Sequence, residues 1–158
     1  ARFMGARDVV VSEPAADRRA LALSMGATAV VGVGESLGEQ FSDVAGGPPD
    51  VVFECVGAPG LIQQCIEIAP RRGMLVPVGV CEQPDTILPF PALIKELAIQ
   101  FAIAYTRADY ETVISMLAQG RIDASAMVTS VVSLDEMPTA FDALRTPSDQ
   151  CKILTRLR

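Results

Sequence analysis

The sequence predicts an α/β protein built on a doubly wound parallel sheet, and three observations predict it. Short apolar runs such as Val9-Val10-Val11, Val51-Val52-Phe53 and residues 74–78 recur along the chain. Each is uninterrupted rather than alternating, the pattern of a strand covered on both faces. Segments of helix-forming composition separate the runs, and the connections are short and carry Gly or Pro. Such alternation gives a parallel sheet with crossover helices. With 158 residues, half of them hydrophobic and 20% charged, the chain has room for one domain with one sizeable core and is too apolar to be disordered.

Val9-Val10-Val11 is the first strand and ends at Ser12-Glu13-Pro14, where Pro14 suits the entry to a helix. Residues 15–25 form that helix, with Leu21 and Met25 on one face and Gly26 as its stop. Residues 28–31 are a second strand, and 37–44 a helix broken by Gly46-Gly47-Pro48-Pro49. Val51-Val52-Phe53 is a third buried strand ending at Glu54, followed by a helix over 61–69, a turn over 70–73 and a strand over 74–78. The rhythm then changes. Thr86-Ile87-Leu88 is a short extended stretch between Pro84 and Pro89, residues 92–96 make one helical turn or two, and Leu97 to Ala104 is another apolar strand. Residues 110–119 are an amphipathic helix with Val113, Ile114 and Leu117 on one face and Gly120 as its stop. A strand over 127–132 leads to Ser133, which forms a capping box with Glu136. The helix that follows runs to about Arg145 and buries Met137, Phe141 and Leu144, and residues 152–157 close the chain as a strand.

Composition excludes several function classes. The chain has no His, so a Ser/His/Asp triad and a His-containing zinc site are excluded within it. Cys55, Cys65, Cys81 and Cys151 include no CxxC pair and read as reduced thiols, mostly small core residues. A net charge of −6 and the absence of Trp argue against a nucleic-acid partner. No apolar run reaches membrane-spanning length and the N-terminus carries no signal-peptide pattern. The expectation is an acidic cytoplasmic protein with no membrane partner.

Three strand ends carry candidate chemistry. Glu13 follows a strand where, in a dinucleotide-binding sheet, a carboxylate accepts hydrogen bonds from the adenosine ribose hydroxyls and repels a 2′-phosphate, favouring NAD. The alternative is a solvated loop carboxylate. Cys55-Val56-Gly57 and Val78-Gly79-Val80 follow two further strands, at the carboxyl edge where open α/β sheets bind ligands. Their glycines either let a ligand approach the backbone or merely make tight turns. Cys55 as a nucleophile lacks an activating His, and Glu54 beside it would raise its pKa, so a small buried residue is the better reading. Arg18, one helical turn after Glu13, is either a solvated cation or a cover for the adenine or a phosphate. Gly32-Val33-Gly34-Glu35-Ser36-Leu37-Gly38 imitates a phosphate loop but is spaced GxGxxxG, and Glu35 would repel a pyrophosphate, so it reads as a plain turn.

The segments ARFMGARDVVVSEPAADRRALALSMGA (1–27), PDVVFECVGAPG (49–60), RRGMLVPVGV (71–80), LAIQFAIAYT (97–106) and MVTSVVSLDEMPTAFDAL (127–144) followed by CKIL (151–154) resemble, in this order, the C-terminal half of medium-chain zinc-type alcohol dehydrogenases. The sorbitol, threonine and butanediol dehydrogenase branch is the most similar. The resemblance implies a Rossmann-like cofactor domain and an NAD-dependent oxidation of a small-molecule alcohol or polyol. It places Glu13 on the ribose, Arg18 beside the adenosine and Cys55, Val56 and Gly57 along the cofactor. Val78, Gly79 and Val80 meet the nicotinamide carboxamide, and Ile103 packs near the nicotinamide. Gln100-Phe101 and Ala104 stand where the family often has Lys-Gly and, in the sorbitol branch, Arg.

The resemblance also implies that the first strand, its glycine-rich turn and the zinc ligands precede Ala1. Residues 1–105 would be a partial dinucleotide-binding domain. Residues 106–158 would pack on a catalytic domain outside this chain, and no residue here is expected to bind metal or act as a catalytic acid or base. A sheet without its first strand exposes unpaired strand edges, so an isolated chain is expected not to be a stable monomer. Thr86 to Leu88 and Leu97 to Ala104 would form the edge of a homo-oligomer. The alternatives are a non-catalytic dimerisation module and a zinc-free quinone reductase-type oxidoreductase.

Overall fold

In the computed structural model, residues 1–34, 36–145 and 150–157 are described. The chain forms two compact units, Ala1–Val33 with Arg107–Arg158, and Gly34–Thr106.

The first unit opens with a single 3-10 turn, Arg2–Met4, ended by Gly5 in the left-handed region. Strand β1 (Val10–Ser12) pairs in parallel with β2 (Ala29–Val31), with Val11 opposite Val30. Helix α1 (Ala16–Ser24) crosses between them and stops before Gly26, whose φ is +99°. The Thr28 hydroxyl closes the start of the ladder: it accepts from Val9 N–H at 2.9 Å and donates to the Val9 carbonyl at 3.0 Å. Helix α5 (Arg107–Ala118) ends before Gly120, whose φ is +66°. A second parallel pair, β6 (Val128–Ser133) with β7 (Lys152–Arg156), is bridged by α6 (Met137–Ala143).

The second unit holds α2 (Leu37–Ala45), β3 (Val51–Glu54), α3 (Leu61–Ile68), β4 (Met74–Pro77), α4 (Pro89–Ile94) and β5 (Ala98–Ile99). Its sheet runs β3-β4-β5, all parallel. The core is here: Ile66 and Ala69 from the α3 segment meet Leu75 of β4, and these are the fully buried apolar side chains among the described residues. Lys95 ties the bottom of the unit together by donating to the Ile66 and Glu67 carbonyls at 2.9 and 2.7 Å, which caps the end of α3.

The α/β class and the parallel pairing follow the sequence. Several details do not. The single sizeable core gives way to one small core in one unit, because each sheet has only two or three strands. The strands 9–11 and 51–53 are not fully buried: Val10 and Val11 are half-buried, and Phe53 is 56% exposed. The strand over 97–104 shortens to two residues, although Gln100 N–H still bonds Leu75 O and Ala102 N–H bonds Pro77 O before Ala104 turns left-handed at φ +58°. Thr86-Ile87-Leu88 joins no ladder, and the helix expected over 92–96 begins at Pro89, whose fixed φ and missing N–H suit a first helical position. Ser133 is the last residue of β6, and its N–H and hydroxyl both donate to Glu136 at 2.8 and 2.7 Å. The expected box thus forms as a turn, and α6 starts only at Met137. Met137, Phe141 and Leu144 are exposed, since no described element covers them.

Candidate cofactor site

Glu13 stands one residue beyond β1. Its Oε1 accepts the Ala15 N–H at 2.9 Å, which fixes the chain as it enters α1. The main-chain carbonyls of Glu13 and Pro14 both accept from one guanidinium nitrogen of Arg19, each at 2.7 Å. The strand end that carries the carboxylate is therefore held from two sides. Arg18 is exposed and makes no such contact. Arg19 is the residue the sequence reading missed; its signal was its position at the start of the second turn of α1, from which a long cation reaches back over the strand end.

In the second unit the ends of β3 and β4 lock together. Glu54, the last residue of β3, is 5% exposed. Its Oε1 accepts the Val56 and Gly57 N–H groups at 2.7 and 2.8 Å. Its carbonyl accepts Val78 N–H at 2.7 Å and Gly79 N–H at 3.0 Å. Gly57 has φ +75°, and a Cβ on it would come 2.5 Å from Val80 N and 2.6 Å from the Val80 carbonyl carbon. A Cβ on Gly79 would lie 2.6 Å from Glu54 Oε2 and 2.8 Å from Gly57 Cα. Neither position has room for a side chain, so these glycines serve close backbone packing rather than only a turn. Cys55, Val56, Gly57, Val78, Gly79 and Val80 are thus brought together, and Ile103, next to the Ala102–Pro77 hydrogen bond, follows the same edge with its side chain 85% exposed. The sequence analysis gives Glu54 no role in these turns, although an acidic residue ending an apolar strand directly before a Gly turn is its signal.

The thiols differ from the expected small core residues. Cys55 and Cys151 are exposed and Cys65 and Cys81 intermediate, all four as free thiols. Partial burial and then the Glu54 charge raise the Cys55 pKa above its ordinary value. Cys65 is pushed up to about 11, by burial first and then by Glu54 and Cys55. Both shifts hold the thiols protonated and unsuited to nucleophilic work. Among the described residues no three His, Cys, Asp or Glu side chains converge as a metal site. No described helix is long and apolar enough to cross a membrane.

The imitation phosphate loop has Gly34 at φ +138° and Ser36 at the start of α2, while Glu35 lies outside the described residues. A groove of about 610 Å³ opens beside it, lined by Ser36, Glu39, Gln63, Gln64 and Glu67 among others. It includes none of the strand-end residues just described.

Comparison with known proteins gives this geometry its context. Residues 1–119 match the family model described as zinc-binding dehydrogenase. The 2-dehydro-3-deoxy-L-galactonate 5-dehydrogenase of Pseudoalteromonas atlantica is 35% identical over 89% of this chain and 41% of its own length. The crystal structure of 2R,3R-butanediol dehydrogenase from Bacillus subtilis superposes with a TM-score of 0.87 and 29% identity, covering 99% of this chain and 46% of that one. A zinc-binding dehydrogenase from Sinorhizobium meliloti 1021, solved bound to NADP, has a TM-score of 0.82 and 30% identity, over 99% of this chain and 47% of that one. The chain spans less than half the length of the relatives it matches. With the family model covering three-quarters of its residues and the α/β fold shared throughout, the chain belongs to the zinc-binding dehydrogenase family.

Proposed function

We propose that this chain is the cofactor-binding part of an NAD-dependent, zinc-type alcohol or polyol dehydrogenase. The parent enzyme moves a hydride between a secondary alcohol and the nicotinamide, which is the chemistry the cofactor supplies when bound. The observation that carries this reading is the pair of interlocked turns, 55–57 and 78–80, at the carboxyl ends of adjacent parallel strands. That edge is where open α/β sheets take their ligands. Backbone groups and the exposed side chains of Val56, Val78 and Val80 at this edge fit part of a dinucleotide.

In this reading Val78, Gly79 and Val80 meet the carboxamide, Cys55, Val56 and Gly57 run along the cofactor, and Ile103 packs on the pyridine ring. Glu13 binds the ribose diol and selects NAD over NADP, and Arg18 covers the adenosine. The relative bound to NADP makes cofactor choice the sharpest test. Residues 1–105 belong to the cofactor domain and 106–158 pack on a catalytic domain, which also supplies the zinc ligands. The enzyme works in the cytoplasm on a small-molecule alcohol, without a nucleic-acid or membrane partner.

Titration of the intact enzyme with NADH and NADPH, followed by cofactor fluorescence, tests the assignment. NADH binds more tightly if Glu13 faces the ribose; tighter NADPH binding refutes that role. A second reading, a dimerisation module, is favoured by the exposed Leu88, Phe90 and Leu93, and it predicts self-association with no cofactor binding at all.

A further inference from the structure

Arg19 is linked to the Glu13 carboxylate through a single peptide unit. One guanidinium nitrogen, Nη1, donates to the Glu13 and Pro14 carbonyls, each at 2.7 Å. The Pro14 carbonyl and the Ala15 N–H belong to the same rigid peptide plane. That N–H in turn donates to Glu13 Oε1 at 2.9 Å. Pro14 stiffens the segment further, since its ring fixes φ. A cation, two carbonyls, one planar peptide and one carboxylate oxygen thus form a connected clamp, and Glu13 Oε2 takes no part in it. Arg19 bonds the main chain and not the carboxylate, so the clamp fixes the Glu13 side chain without covering it. Helix stability does not explain the placement. Arg19 is the fourth residue of α1 (Ala16–Ser24) and is half-buried. Its side chain reaches back toward the helix N-terminus, where the macrodipole disfavours a cation.

We propose that Arg19 is a positioning residue for Glu13, holding the carboxylate so that Oε2 meets the 2′-hydroxyl of the adenosine ribose. Without the clamp, the turn and the Glu13 side chain must be ordered when the ribose binds, and that entropy is subtracted from the hydrogen bond. A binding group whose support is loosened loses much of its discrimination although it is still present. This inference rests on the reading above that Glu13 faces the ribose.

The test is calorimetry on the intact enzyme with two probes, NAD and its analogue lacking the adenosine 2′-hydroxyl. The proteins are wild type, Arg19→Met, Arg19→Lys, Glu13→Ala and the double variant Glu13→Ala with Arg19→Met. Met keeps a long apolar stem and the helix propensity while removing the donor. Wild type should bind NAD at least about tenfold more tightly than the analogue. In Arg19→Met that ratio should fall to about threefold or less. Both bonds come from one nitrogen, which an ammonium can replace, so Arg19→Lys should stay nearer to wild type. In the Glu13→Ala background, Arg19→Met should weaken NAD no further, because the two residues act as one unit. Arg19→Gln, too short to reach both carbonyls, repeats the measurement if Arg19→Met does not fold. A wild-type ratio in the folded variant overturns the proposal and leaves Glu13 on the ribose. An equal loss of NAD affinity with and without Glu13 shows a structural role alone and overturns it too. A wild type that binds both probes equally overturns the reading of Glu13, and this inference with it.

Discussion

Glu13 and Glu54 both end parallel strands, yet their surroundings give them different work. Glu54 is buried and has its Oε1 committed to two backbone amides, so it shapes its own turns. Glu13 is half-buried and has one oxygen on the Ala15 N–H, leaving Oε2 for an outside partner. Hydrogen bonds to a charged group contribute about 1.5–3 kcal/mol, so Glu13→Ala should weaken NAD binding to the intact enzyme by roughly tenfold or more and narrow its advantage over NADP. Cofactor titration of the variant checks this, and an unaltered NAD/NADP ratio would remove Glu13 from the site. The thiols give a pH test at the same scale. The Cys65 pKa is raised in the fold from 9.0 to about 11, so the folded state holds this proton more tightly than the unfolded chain. Its stabilising effect is complete below about pH 9 and is lost as pH rises toward 11. Alkylation followed by mass spectrometry should label Cys151 well before Cys65 at pH 8, and Cys65 labelling should rise only as pH approaches 11. Equal labelling at pH 8 would contradict the packing described.

At the scale of elements, local chemistry sets the boundaries well wherever a breaker residue is present. Gly26, Gly46 and Gly120 take the left-handed conformation at or just beyond the ends of α1, α2 and α5. Boundaries that depend on a neighbour were less legible. Residues 97–104 carry strand composition, but the ladder needs β4 beside it, and β4 ends at Pro77. Arg72, Glu96 and Ala104 adopt positive φ without being Gly, and Arg71 and Arg72 pair with Glu96 between the segments that lead into β4 and β5. The turn glycines divide in the same way, and substitution separates them. Gly46→Ala meets only the left-handed backbone, with open space around the new methyl, and should cost about 1–2 kcal/mol. Gly57→Ala and Gly79→Ala drive a methyl into backbone atoms and should each cost at least about 3 kcal/mol. Urea denaturation of the three variants measures the difference. Comparable losses would mean that the two turns are not interlocked.

For the whole molecule, large apolar side chains stand exposed on α4, α5 and α6 and along the β5 edge, among them Phe90, Leu93, Ile114, Phe141 and Phe101. Apolar surface of this extent calls for a covering partner. In the proposed enzyme, a catalytic domain covers α5 and α6 and a second copy covers α4 and the β5 edge. Sedimentation of the intact enzyme should therefore give a dimer or a larger even assembly. Phe90→Asp combined with Leu93→Asp should shift it toward monomer, because two charges would have to be desolvated at the contact. A wild-type monomer at micromolar concentration would disprove the second half of this account.

The sequence by itself determined the α/β class, the order of the elements and the strand ends that carry Glu13, Cys55–Gly57 and Val78–Val80, because apolar runs, helix formers and glycine stops act over a few residues. It also carried the family, through short motifs whose order and spacing are kept. Only the tertiary structure decided which groups those strand ends engage. Arg19 rather than Arg18 braces the first, and Glu54 rather than Cys55 organises the other two. Burial of a charged group and the meeting of two backbones depend on residues about 25 positions apart, as Glu54 and Gly79 are. Local composition carries no record of such distances; parallel pairing creates them.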